Sequence, residues 1–160
     1  CACSTAVWSW LVKSMRYPPH GIRGVGGAGA RATGFSSHAD YLTTADDEMC
    51  LVEQVENRAG IYAIDDLIAV DGVDAIFIGP SDLSANLGHI GNPGAAEVVA
   101  AIDTALDKIA ASDKASGIMA LDPVVARNYL DRGVDFVAVA IDAVTLARGL
   151  RAIATEMKPR

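Results

Sequence analysis

The chain has 160 residues, 51% of them apolar, and a net charge of −7. That length suits one domain with a substantial core. The acidic balance argues against a nucleic-acid or anionic-membrane partner, which would call for a basic patch. No apolar run reaches the ~20 residues needed to cross a bilayer. Three cysteines, Cys1, Cys3 and Cys50, are an odd number and no disulfide framework, so a reducing cytoplasm is the expected compartment. Cys1 and Cys3 lack a second ligand pair and are read as incidental. Cys50 is read as a small core residue inside a strand.

In chain order, residues 1–10 begin with Cys rather than Met, lack the layout of a signal peptide and do not resemble the rest of the chain. They read as an atypical or artefactual start, with the domain running over 11–160. Residues 5–16 have a helical pattern that Pro18 and Pro19 stop. The stretch Gly21–Arg31 contains a literal GxGxxG at Gly24, Gly26 and Gly29. A dinucleotide fingerprint needs a strand before the glycines and a helix after them. Here Pro18-Pro19-His20 precedes and Thr33-Gly34 comes after, so a surface loop with unusual backbone angles is expected.

A short helix over 38–46 leads into the run Met49–Val55, which ends in Glu56. Asn57 is placed to cap a helix whose Ile61, Ile64, Leu67 and Ile68 recur at helical spacing. Asp71-Gly72 turns the chain into a second strand, Ala75–Ile78, succeeded by a loop over 79–93 that contains Asp82. A helix from about Ala95 to Ser112 carries Val98, Ile102, Leu106 and Ile109 on one face, and a strand at Ser116–Ala120 comes next. Asp122-Pro123 opens the next helix and Gly133 closes it. Asp135–Ile141 reads as a buried strand. The last helix, about Val144 to Met157, has Leu146, Leu150 and Ile153 on one face.

Four β-α units in succession imply a parallel sheet with right-handed crossovers. They suit either a small doubly wound sheet or half of a (β/α)₈ barrel, since a whole barrel takes ~250 residues. Glu56 and Asp82 each end an apolar run. Carboxylates at the C-terminal ends of adjacent strands, ~4.8 Å apart, can share one hard cation. Alternatively, Glu56 caps a helix and Asp82 a turn. Spacing alone leaves both open.

The segments Arg16–Gly26, Gln54-Val55-Glu56-Asn57, Gly72–Ser84 and Phe136–Val139 resemble the HpcH/HpaI aldolase family in order and spacing. The resemblance runs from about Leu11 to the C-terminus and covers the second half of that family's TIM barrel, strands five to eight. It implies an α/β fold and a class II carbon–carbon lyase. Such an enzyme cleaves a 4-hydroxy-2-oxo acid, or a 2-keto-3-deoxy sugar acid, to pyruvate and an aldehyde through a metal-stabilised enolate. The cofactor implied is Mg²⁺ or Mn²⁺, with Co²⁺ a further candidate, and the assembly implied is a homo-oligomer.

By position, Glu56 and Asp82 match the metal carboxylates, and Gln54 matches the glutamine that orients metal-bound water. The backbone N–H groups of Ser81 and Asp82 match those that hold the pyruvate carboxylate. Met119 matches an apolar residue on the aldehyde side. A lysine Schiff base is the rival electron sink, but no lysine falls on a predicted strand.

The family's catalytic histidine and substrate-gripping arginine belong to the barrel half absent from this sequence. None of His20, His38 or His89 sits in the histidine motif, and Arg23 lies in the loop before the first strand. Glu53 stands where an apolar residue is expected and calls for a local salt bridge or an open barrel edge. The enzyme has two alternatives: a non-catalytic half barrel that binds metal or oxo acid only, and a small dinucleotide-binding protein. A half barrel also leaves strand edges unpaired, so self-association is expected.

Overall fold

The computed structural model describes residues 4–158, so Cys1 and Cys3 lie outside the described residues. Helix α1, Thr5–Met15, ends where Arg16 turns extended ahead of Pro18 and Pro19. Its Trp8 is buried in the core. The glycine-rich segment continues as single 3₁₀ turns at Gly27–Gly29 and Arg31–Thr33. Gly26 and Gly34 have positive φ, the left-handed region that glycine enters without a steric cost. Among the described residues no strand precedes these glycines and no α-helix directly follows them, so the dinucleotide fingerprint lacks its flanking elements there. The Arg23 guanidinium lies over the Tyr17 and Tyr41 rings, 4.5 and 5.7 Å from their centroids, and donates to the Tyr41 hydroxyl. It packs the loop.

The remaining elements are α2 (Tyr41–Thr44), β1 (Val52–Val55), α3 (Arg58–Tyr62), α4 (Ile64–Ile68) and β2 (Ala75–Ile78). They continue as α5 (Pro80–Asn86), α6 (Ala96–Ala110), β3 (Ala115–Met119), α7 (Pro123–Asp131), β4 (Phe136–Ala138) and α8 (Asp142–Met157). The four strands form one parallel sheet in the order β1-β2-β3-β4. Right-handed crossovers that always step the same way put their helices on one face. That is a barrel wall. A doubly wound sheet would reverse direction at a switch point. The chain is thus a partial (β/α)₈ barrel, about half of one.

The helix-facing side is the core. Val55, Ile76, Ile78 and Ile118 pack there with Ile64, Leu67, Leu83 and the α6 row Val98, Ile102, Leu106 and Ile109. The other side, toward the barrel axis, aligns Gln54, Phe77, Gly117 and Phe136 in register. Phe77 and Phe136 stack across the sheet with ring centroids 5.5 Å apart. Gly117 makes this possible, because a Cβ there would collide with the Phe136 ring.

Capping matches the sequence closely. Asn57 accepts from the Gly60 N–H, and Asp122 accepts from Val124 and Val125 N–H groups ahead of Pro123. Gly133 closes α7 with φ +92°. The helix after Asn57 is broken at Ala63 into α3 and α4. Gly60 lets α3 approach β1, since a Cβ there would sit 3.0 Å from the Val55 side chain.

Several expectations are corrected. Cys50 is exposed and lies before β1, not inside a strand. The chain there is tied to the β2 entry by Leu51 N–H on Asp74 Oδ2 at 2.7 Å. The segment expected as a loop over 79–93 opens with α5, because Pro80 fits the first helical position. The strand expected at Asp135–Ile141 is three residues long and partly exposed, since among the described residues β4 pairs only with β3. The α8 residues Leu146, Leu150 and Ile153 are exposed. No ion pair among the described residues involves Glu53. Burial on the helix face of the edge strand pushes its carboxyl above the usual range.

Candidate active site

The C-terminal ends of β1 and β2 carry the candidate carboxylates. Val55 and Ile78 are register partners, so Glu56 and Gly79 continue the pair one residue beyond the ladder. Gln54 and Glu56 share the axis-facing side of β1 by two-residue alternation. The Gln54 Nε2 donates to Glu56 Oε2 at 2.5 Å, which fixes the carboxylate's orientation. A Cβ at Gly79 would lie 2.9 Å from Gln54 Nε2 and 3.0 Å from Glu56 Cβ. Only glycine leaves that space clear, so the Gln54–Glu56 pair leans over the start of α5.

Asp82 is exposed in the first turn of α5. The first bond of that helix runs from Leu83 N–H to the Gly79 carbonyl. The Ser81 and Asp82 N–H groups come before it and have no intrahelical acceptor. The fully buried Ser84 donates its hydroxyl to the Ser81 carbonyl at 2.7 Å, which braces this turn.

Ser81 and Met119 meet in a second space, a cleft of about 340 Å³ between α6 and α7. Its walls include Leu121, Val125 and Tyr129, and they do not include Glu56 or Asp82. The predicted site residues thus form two neighbouring groups joined at the start of α5. Gln54, Glu56 and Asp82 lie along the β1 and β2 ends, with Ser81 and Met119 beside them.

The candidate donors for a metal are two carboxylates, Glu56 and Asp82. Among the described residues no group of three or more His, Cys, Asp and Glu side chains is arranged to hold an ion. Hard carboxylate oxygens suit Mg²⁺ or Mn²⁺ rather than a soft ion; Glu56 is half-buried and Asp82 is exposed. His89 pairs with Glu97 Oε2 at 3.0 Å, while His20 and His38 are exposed. None of the described lysines lies on a strand, so a Schiff base has no candidate on the strands.

Gly79 escaped the sequence reading, although Ile78-Gly79-Pro80 at a strand end is a signal for close approach. Asn86 and Arg58, which bridge the two carboxylate turns, also escaped it. The i, i+4 spacing of Asp82 and Asn86 was their only trace.

Residues 5–148 match the family model described as HpcH/HpaI aldolase/citrate lyase. A hydroxypyruvate/pyruvate aldolase of Roseovarius nubinhibens is 54% identical over 141 residues, which are 88% of this chain and 55% of that protein. A 4-hydroxy-2-oxo-heptane-1,7-dioate aldolase of Klebsiella pneumoniae is 48% identical over 143 residues, 89% of this chain and 54% of that one. The chain therefore spans about half the length of the curated relatives it matches. Among solved structures, an HpcH/HpaI aldolase/citrate lyase family protein from Burkholderia cenocepacia superimposes with a TM-score of 0.89 at 33% identity, covering 99% of this chain and 63% of that one. Fold, motif order and identity agree, and the chain belongs to the HpcH/HpaI aldolase/citrate lyase family.

Proposed function

We propose that the protein is a divalent-metal-dependent carbon–carbon lyase that cleaves a 4-hydroxy-2-oxo acid to pyruvate and an aldehyde. The observation that carries this is the Gln54–Glu56 hydrogen bond at the end of β1, leaning over Gly79 at the point where α5 brings in Asp82. Family membership and relatives named as aldolases support the reaction class.

In this reading Glu56 and Asp82 hold the ion. A bound divalent cation supplies Lewis-acid stabilisation of the negative charge left on the oxo oxygen when the C3–C4 bond breaks. Gln54 keeps the Glu56 carboxylate turned toward the site. The Ser81 and Asp82 N–H groups, free of helix acceptors, receive the carboxylate of the oxo acid. Met119, with Leu121 and Val125, gives the aldehyde portion an apolar wall. The retro-aldol direction also needs a group that takes the proton of the C4 hydroxyl. No described histidine reaches these residues, so that group is assigned outside them. A homo-oligomer and a reducing cytoplasm complete the proposal.

Mg²⁺-dependent exchange of pyruvate methyl protons for deuterium, monitored by NMR, tests this. Exchange that vanishes in Glu56→Ala and Asp82→Ala is the expected result. A folded chain that binds Mn²⁺ without exchange would instead favour a half barrel that binds metal or oxo acid only.

A further inference from the structure

The two carboxylates sit on different β-α turns, and one side chain ties those turns together. Asn86, the last residue of α5, accepts the Arg58 backbone N–H on its Oδ1 at 2.9 Å. Arg58 opens α3, two residues after Glu56. Its N–H is one of the donors that a helix start leaves without an intrahelical partner. Asn57 satisfies a different donor, Gly60 N–H. The start of α3 is thus capped twice, once by its own chain and once from α5.

Asn86 is also four residues after Asp82. Side chains at i and i+4 lie on one helix face, about 6 Å apart along the axis. The face of α5 that reaches Arg58 through Asn86 is therefore the face that carries Asp82. Further out, the Arg58 guanidinium pairs with Glu97 Oε1 at 3.1 Å, and His89 pairs with Glu97 Oε2 at 3.0 Å. These contacts fasten the α5–α6 segment to the same corner.

We infer that Asn86 is a positioning residue: through the Arg58 N–H it sets the separation of Glu56 and Asp82, and thereby the affinity for a divalent cation. The inference rests on these two carboxylates being the metal ligands.

Mn²⁺ affinity, measured by water-proton relaxation without substrate, tests it and reads no turnover. The variants are Glu56→Ala/Asp82→Ala, Asn86→Ala, Asn86→Asp, Arg58→Ala and Arg58→Pro. Arg58→Pro deletes the donor where proline is tolerated, at the first helical position after an extended Asn57 (φ −150°, ψ 164°). Asn86→Ala and Arg58→Pro are each expected to weaken binding about tenfold. The two together should be no weaker than either alone, because they break one bond. Asn86→Asp, which keeps the acceptor, and Arg58→Ala, which keeps the N–H, should bind within about threefold of the parent chain, well short of that loss.

Undiminished binding in Asn86→Ala and Arg58→Pro, with binding lost in the double carboxylate variant, would overturn the positioning role and leave the metal site standing. Binding that survives the double variant, or is absent from the parent chain, would remove the metal site and the positioning role with it. If Asn86→Ala fails to fold, Arg58→Pro carries the test.

Discussion

Helices α6 and α8 are nearly the same length and carry the same kind of apolar row, yet they end in opposite environments. In α6 the row Val98, Ile102, Leu106 and Ile109 is buried, with Ile102 1% exposed. In α8 the row Leu146, Leu150, Ile153 and Met157 faces outward, with Leu150 58% exposed. An amphipathic pattern states that a face needs a cover. It does not state what the cover is. The α6 row has Ile78, Ile118 and Leu83 on the sheet and α5 to close over it, whereas α8 comes after the edge strand β4.

The comparison breaks most sharply under matched truncations. Ile102→Ala should cost about 2–5 kcal/mol, the range for emptying a filled core position. Leu150→Ala should change stability by no more than about 0.5 kcal/mol. Thermal or denaturant unfolding of the two variants checks the difference. Leu150→Lys should leave the melting temperature in place and lower self-association by light scattering, because it removes apolar surface that the chain leaves uncovered. Equal losses of stability in Ile102→Ala and Leu150→Ala would mean that α8 packs as tightly as α6.

The two faces of the sheet differ in a related way. The helix face is closed by aliphatic side chains, while the axis face depends on Gly117 leaving room for the Phe136 ring. Gly117→Ala should destabilise by about 1–3 kcal/mol, as overpacking does. Adding Phe136→Ala should recover much of that loss, because the collision disappears. Additive losses in the pair, read from unfolding curves, would contradict the contact between Gly117 and the Phe136 ring.

The smallest effects separate the two edges of the sheet by pH. At the β3–β4 edge, Asp135 Oδ2 accepts from the Ser116 N–H at 2.7 Å and from its hydroxyl at 2.9 Å. These bonds hold the Asp135 carboxyl below its ordinary value. A depressed carboxyl stabilises the fold above its unfolded value, and the contribution is lost as pH falls through the folded one. Asp135→Asn should therefore destabilise at neutral pH and matter little in strong acid. At the β1 edge the sign reverses. Burial raises the Glu53 carboxyl, so its contribution is present in acid and lost as pH rises through the raised value. Glu53→Gln should raise the melting temperature at neutral pH and leave it unchanged near pH 4. Melting curves across pH resolve both signs.

Much of this fold was legible because its signals are local. The Asn57 and Asp122 caps, Pro123 and Gly133 all act within one turn of chain, and each appears where the sequence places it. The buried α6 row was legible for the same reason. Cys50 and the short β4 were not, because pairing and exposure depend on neighbours far along the chain. α5 was hidden inside a segment, 79–93, rich in Gly, Ser and Asn, which reads as loop until Pro80 is recognised as a first helical residue. Of the candidate site, residue types and order were readable. The Gly79 clearance and the Asn86–Arg58 bond were not, since each needs two turns from different β-α units side by side.

The sequence by itself determined the β-α order, the Asn57 and Asp122 caps, the family motifs and the two carboxylates just beyond the first two strands, because these arise from short-range sterics, periodicity and motif spacing. Tertiary structure alone decided that the strands run in sequential order with one face left toward a barrel axis. It also decided that Gln54 and Glu56 close over Gly79 at the start of α5 and that Asn86 reaches the Arg58 N–H on the neighbouring turn. Those outcomes depend on strand register and crossover hand, which bring residues about 25 positions apart to within a hydrogen bond of each other.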